Sequence, residues 1–260
     1  MPQPRLNLNF ICGVLPLLYR KAFMDIKTKN LTPRLSAVAE LVRRGAFVAD
    51  VGTDHAYLPI ALVSEGIARG AVASDINEGP YLRAKKNVTE HSLEAKITTV
   101  HCAGLSGIEK FSPTDILICG MGGELIASII EDAPFVKDRT VRLVLQPMTH
   151  PEILREYLIK NGFEIISERI VKEEKLYQII CAEYKHSPNT VDFDYDDAEL
   201  LIGRSNIAAG GELLCELVCH HLKILEKIST AKHKASADAT YEDKLIEKLK
   251  EIKNDCTRAL

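Results

Sequence analysis

From residue 31 onward the apolar positions alternate between two rhythms. Thr32-Pro33 supplies an N-cap and a first-turn proline, and Leu35, Val38, Ala39 and Val42 follow at helical spacing until Gly45 stops the helix. Residues 46–51 (Ala-Phe-Val-Ala-Asp-Val) are a short continuous apolar run and read as a buried strand. The same grammar then repeats: helix over 57–68, strand over 71–75, a helix opened by Pro80 and reaching His91, and strand over 97–101. A strand over 115–119, a helix to about Asp132, a strand over 141–145 and a helix over 150–160 follow. Two β-rich runs, 163–171 and 176–183, flank the polar turn Lys172–Lys175 as an antiparallel hairpin. The pattern predicts an α/β fold: a seven-stranded, mostly parallel sheet with helices on both faces and a closing antiparallel hairpin.

Past residue 190 the grammar changes. Asp192 to Glu199 is acidic, and Gly203 and Gly210-Gly211 punctuate. Leu213, Leu214, Leu217, Val218, Leu222, Leu225 and Ile228 mark one amphipathic helix, and Leu245, Ile246, Leu249 and Ile252 mark another. The small polar stretch Ser229 to Thr240 between them predicts a turn, hence an antiparallel helical hairpin over 190–260. At the other end, Leu6–Leu18 is apolar but carries Asn7, Asn9, Gly13 and Pro16 and is too short to span a bilayer. Residues 1–24 are therefore read as a non-essential extension, with the folded domain over 25–186.

Composition narrows the class. With 46% hydrophobic and 27% charged residues in 260, the chain is an ordinary globular protein. Seven cysteines without a Cys-x-x-Cys pair argue against a disulfide framework or zinc ribbon and suit a reducing cytoplasm. Cys215, Cys219, His220 and His221 share one helix, which does not close a metal site, so no metal is assigned. No membrane partner is expected, and a monomer is. The net charge of −3 conceals a balance of +6 over residues 1–49 and −4 over 190–260. The basic leading segment, with Arg34, Arg43 and Arg44, either meets phosphates or is a solvated helix face.

The candidate chemistry lies at the carboxyl ends of the strands, where ligands bind in such sheets. Asp50, Asp75, Ala103 and Gly120 all stand there. The turn Asp50-Val51-Gly52-Thr53-Asp54-His55 lacks the Gly-x-Gly-x-x-Gly of dinucleotide enzymes, which disfavours a nicotinamide cofactor. An acidic turn suits a cationic ligand such as S-adenosylmethionine better than a pyrophosphate. Gly52 allows close backbone approach and Asp50 offers an anchor for an ammonium group. Asp75, with Ile76 beside it, can accept two hydrogen bonds from ribose hydroxyls. Asp54 either caps the next helix or touches the ligand, and His55 either bonds a substrate or fixes the turn. Gly120-Met121-Gly122-Gly123 clears side chains from a strand end so that a flat base can approach, and Gln146 offers an amide to read its edge.

Asp-Val-Gly-Thr-Asp-His-Ala-Tyr-Leu-Pro at 50–59, Gly-Met-Gly-Gly at 120–123 and Leu-Gln-Pro at 145–147 together resemble the bacterial tRNA (adenine-22-N1)-methyltransferases of TrmK type. The similarity runs from about Leu31 to Tyr184, more loosely through the tail. It implies a Rossmann-like class I methyltransferase with a coiled-coil-like C-terminal hairpin, S-adenosylmethionine as methyl donor and tRNA as acceptor. By position, the resemblance puts Asp50, Gly52 and Asp54 in the first cofactor motif, Asp75 at the position of the ribose-binding acid, and Gly120, Met121 and Gly122 along the reaction face. One departure stands out: where the family carries Asp-Gly-Leu to bind the cofactor adenine, this chain has Ala103-Gly104-Leu105. A methyltransferase with a non-RNA acceptor, and a binding module that has lost methyl transfer, remain alternatives.

Overall fold

β-branched, apolar runs need partners on both faces, and the sheet supplies them. In the computed structural model, which describes residues 31–185 and 194–259, β1 (Ala46–Val51), β2 (Ala68–Asp75), β3 (Ile97–His101), β4 (Asp115–Gly122) and β5 (Arg142–Thr149) are parallel. β6 (Phe163–Lys172) and β7 (Leu176–Tyr184) form the expected hairpin, and β7 pairs antiparallel with β5. The spatial order is β3-β2-β1-β4-β5-β7-β6. Helices α1 (Pro33–Ala39), α2 (Tyr57–Ser64) and α3 (Glu78–Glu90) bury their apolar stripes against one face; α4 (Gly123–Glu131) and α5 (Pro151–Lys160) cover the other. The extension expected over 1–24 and the boundary near 186–190 lie outside the described residues.

Several element ends differ from the sequence reading, each for a local reason. α1 stops at Ala39 rather than near Gly45, because buried Asp115 at the foot of β4 takes the backbone N–H of Arg43 at 2.9 Å and its Nε at 2.9 Å. α2 ends at Ser64, ahead of Gly66 at φ +67°, and the chain enters β2 three residues earlier than its apolar run suggested. β4 and β5 continue past 119 and 145 to Gly122 and Thr149, with breaks in register around Met121.

The tail contains two unforeseen short helices, α6 (Asp197–Ile202) and α7 (Arg204–Ala209), before the long pair α8 (Glu212–Lys234) and α9 (Thr240–Ala259). Asp196 and Glu199 form a reciprocal capping box at the start of α6. The polar connection expected over 229–240 shrinks to 235–239. Ser229 donates to Asp243 across the pair at 2.6 Å and Thr230 bonds back to the Glu226 carbonyl, so these residues are satisfied within helices.

The tail core, Leu214, Leu217, Val218 and Leu222 against Leu245, Ile246, Leu249 and Ile252, also takes in Ile170 and Leu176 from the β6–β7 hairpin. Beside it Arg155 of α5 is fully buried. Its Nε donates to Glu168 of β6 at 2.6 Å, Nη1 to the Leu200 carbonyl at 2.6 Å, and Nη2 to Gln178 of β7 at 2.6 Å. Glu168 also accepts the Ser205 backbone N–H at 3.1 Å. One guanidinium thus joins sheet, helix and tail. Glu168→Ala leaves that charge buried without its carboxylate and is expected to cost about 3–5 kcal/mol in urea unfolding; a loss under about 1 kcal/mol would show that the pair is dispensable.

Candidate active site

Ends of adjacent strands open onto one cavity of about 990 Å³. Val51 and Gly52 reach it at the end of β1, Asp75 and Ile76 at β2, Ala103 and Gly104 after β3, and Gly120 and Met121 from β4. Leu125 and Ile129 of α4, with Phe135, supply an apolar wall. A cavity of this size, mostly apolar with a few convergent polar groups, suits a nucleoside-sized ligand.

Carboxylates give it its charge: Asp75, Glu109 and Asp132 line it, and Asp50 is buried next to the lining Val51. Asp75 Oδ1 accepts the backbone N–H of Asn77 at 2.8 Å and the Asn77 side-chain amide at 3.3 Å. Its second oxygen has no hydrogen bond among the described residues, leaving it to accept from a diol. Asp50 lies beneath Val51 and Gly52, only 6% exposed, and accepts the Thr53 hydroxyl at 2.5 Å. Burial pushes its pKa up to about 6; the Thr53 bond draws it back and the charge of Asp75 raises it further. Burial also pushes the Cys119 thiol far above its ordinary range, so it is a neutral wall group rather than a nucleophile.

Glycines set the approach. Gly52 adopts φ +73°, where other residues are strained, and a Cβ there would come 2.3 Å from the Met121 side-chain methyl, displacing that flexible side chain. Gly120 adopts φ +79°, where other residues are strained. Residues 120–122 are a bulged continuation of β4, so the glycine run lies within the strand end itself.

Residues 31–180 match the methyltransferase domain family. A curated tRNA (adenine(22)-N(1))-methyltransferase from Bacillus subtilis (strain 168) is 41% identical over 155 residues, 59% of this chain and 65% of that enzyme, so the matched stretch falls just short of two thirds of its length. The crystal structure of the B. subtilis m1A22 tRNA methyltransferase TrmK superposes with a TM-score of 0.72 at 32% identity, covering 88% of this chain and 98% of that one. The chain belongs to the TrmK-type methyltransferase family. Streptococcus pneumoniae Sp1610, solved in complex with S-adenosyl-L-methionine, gives a TM-score of 0.76 at 32% identity over 86% of this chain and 99% of that one.

In this TrmK-type chain the sequence-predicted residues divide. Gly52, Asp75, Ile76, Ala103, Gly104, Gly120 and Met121 line one cavity, with Asp50 beneath it. Asp54 and His55 are not among its lining residues. Asp54 caps no helix, because Ala56 in the left-handed region takes the N-cap of α2; it pairs instead with Arg83 of α3. The His55 ring stacks on Tyr57 with centroids 5.0 Å apart. Gly122 packs under Thr149.

Three further expectations need correction. Gln146 is fully buried and not free to read a base edge: its Oε1 accepts from Gly120 N–H at 3.2 Å and from Arg34, and its Nε2 donates to the Pro147 carbonyl at 2.9 Å. Arg34, expected to grip RNA, is turned onto that amide. Arg43 is spent at the foot of β4 on Asp115 and the carbonyls of Thr114 and Thr140, at the sheet end opposite the cavity. Of the three arginines proposed for RNA, only Arg44 is exposed. No group of three or more His, Cys, Asp or Glu is placed to hold a metal among the described residues.

Sequence reasoning missed Thr53 and Asn77, which orient Asp50 and Asp75. A hydroxyl or amide two or three residues beyond a strand-end acid was the available signal. The Leu125–Ile129–Phe135 wall had none, since nothing local distinguishes a cavity wall from a helix core.

A carboxylate whose folded pKa is raised favours its protonated form. Its contribution to stability is complete at low pH and is lost as pH rises from the ordinary carboxylate range through about 6. Asp50→Asn cannot ionise, so in urea unfolding it is expected to stabilise the unliganded protein by about 1–3 kcal/mol at about pH 7.5, with the gain shrinking below about pH 6. A gain unchanged at about pH 5 would contradict a buried carboxylate ionising near 6.

Proposed function

We propose that this protein is an S-adenosylmethionine-dependent methyltransferase that methylates N1 of adenine 22 in tRNA. The observation that carries the reading is the cavity: an open Asp75 oxygen, the buried Asp50 carboxylate and a glycine-cleared end of β4 converge at the strand ends of a chain 32% identical to TrmK over nearly all of that protein. The residues present fit the cofactor. Asp75, with one carboxylate oxygen left over by Asn77, would accept the ribose hydroxyls, and Asp50 would supply the charge that an ammonium group offsets. Gly52 and Gly104 leave backbone rather than side chain toward the ligand. When bound, S-adenosylmethionine supplies a methyl group on a cationic sulfur.

The protein's own task is then alignment. N1 of adenine carries a lone pair in its neutral form, so no general base is required. That accounts for a site whose acids are placed to bind rather than to move protons. Gly120 and Met121 border the space where the base would enter, drawn from its stack. The helical tail is our candidate for shape contacts with the RNA, whereas Arg44, although exposed, lies beside Arg43 at the sheet end opposite the cavity. A monomer is the reading we favour, since the described residues of one chain enclose the cavity. Unpaired cysteines and a tRNA substrate fit the cytoplasm, and no helix of the described residues is long and apolar enough to cross a membrane.

Ala103 bears on affinity. It lines the cavity where a carboxylate is the family expectation, and loss of one hydrogen bond costs about 1 kcal/mol. Ala103→Asp is expected to tighten cofactor binding about fivefold by calorimetry; equal or weaker binding would remove this account.

The function itself is tested by nucleoside mass spectrometry of unmodified bacterial tRNA incubated with the protein and S-adenosylmethionine. 1-Methyladenosine is expected from the transcript carrying adenine 22 and not from one lacking it. Cofactor binding without any methylated nucleoside would point to a non-RNA acceptor, and no cofactor binding to an inactive module.

A further inference from the structure

We infer that Arg34 is a positioning residue that sets the shape of the acceptor side of the cavity through Gln146, although it lies 112 residues away in sequence. The inference rests on the adenine-methylation reading for its kinetic consequence, but not for its geometry.

Between Cys119 and Met121 the β4–β5 ladder loses its register. The residue left without a regular ladder partner is Gly120, held at φ +79° on the cavity wall. Its N–H finds the Gln146 side-chain oxygen at 3.2 Å, so a side chain replaces the missing ladder bond. That oxygen receives a second donor, Arg34 Nη1, at 2.5 Å. A charged donor on an amide oxygen makes a stronger bond than a neutral one. It also fixes which way the amide faces. With Oε1 held between Arg34 and Gly120, Nε2 must face the Pro147 carbonyl at 2.9 Å and the Met148 sulfur at 3.6 Å.

Arg34 is itself fixed. Its backbone N–H donates to Glu173 at 3.0 Å, and its guanidinium sits 5.4 Å from the centroid of the Tyr177 ring. Both partners belong to the β6–β7 hairpin region, so the start of α1 is pinned to the far edge of the sheet while its side chain reaches the strand end. Without Arg34, the Gln146 amide keeps only neutral bonds, to the Gly120 N–H and the Pro147 carbonyl, and Gly120 is held less firmly. A phosphate-binding arginine would have its guanidinium turned to solvent. This one is turned inward.

The test is Arg34→Ala, read in two ways. In the unliganded protein, amide hydrogen exchange at Gly120 is expected to quicken about tenfold while Ile116, Leu117 and Ile118 in the body of β4 are unchanged. In methylation assays, kcat is expected to fall about tenfold, with KM for tRNA and the salt dependence of tRNA binding held. Combining Arg34→Ala with Gln146→Leu is expected to cost no more than the worse single variant, because both break one chain of contacts. If Arg34→Ala fails to fold, Gln146→Leu alone carries the same exchange measurement. A raised KM with a salt slope smaller by about one would overturn the inference and make Arg34 a phosphate contact. Unchanged Gly120 exchange, or strictly additive variants, would also overturn it. Wild-type protein that methylates no RNA would sink the methylation reading, leaving the exchange result to judge the strut.

Discussion

A guanidinium without solvent is costly to bury, and Arg155 is tolerable only because every direction it faces holds an acceptor. Glu168 supplies the countercharge, Gln178 an amide oxygen, and the last turn of α6 its carbonyls, which no further helical turn would satisfy. The same carboxylate receives the Ser205 N–H at the start of α7. The break at Gly203 is part of this arrangement: a Cβ there would lie within 2.5 Å of the Glu168 carboxylate. Sheet edge, covering helix and tail are thereby set by one charge, and the two apolar cores meet across it.

At the strand ends the physics is reversed. There, among the described residues, the fold keeps polar groups short of partners: Asp50 is buried with no cation paired to it, Asp75 has an oxygen to spare, and Gly120 depends on a side chain for its hydrogen bond. Each omission makes the unliganded protein less stable than it need be and leaves room for a ligand to make up the difference. Stability is concentrated at the foot of the sheet, where Arg43 and Asp115 lock the start of β4, and relaxed at the top.

How much of this was legible in the sequence depends on the range of the interaction concerned. Short apolar runs revealed every strand of the described residues, because packing against the core leaves its signal within the strand itself. The acids at 50 and 75 and the glycines at 52, 104 and 120 were legible for the same reason: a strand end is a local event. The roles of Arg34, Arg43 and Gln146 were not. Nothing near Arg43 in sequence announces Asp115, and nothing near Gln146 announces a guanidinium from the first helix. Basic residues ahead of a ligand turn look alike whether they face phosphate or protein. The short helices α6 and α7 escaped because six residues hold too little periodicity, although the Asp196–Glu199 capping box was written in the sequence.

The order in which the chain is synthesised gives the Arg155 cluster a temporal side. The carboxylate of Glu168 and the amide of Gln178 emerge soon after Arg155 itself, but the carbonyls of residues 200–202 follow only some forty-five residues behind it. Until they arrive, a nascent methyltransferase domain holds a half-satisfied charge and a hairpin whose Ile170 and Leu176 lack the tail that packs on them. The tail is thus the closing step of the domain's own folding. A ribosome that stalled before residue 200 would release a chain possessing every residue that lines the cavity and an apolar hairpin face left exposed.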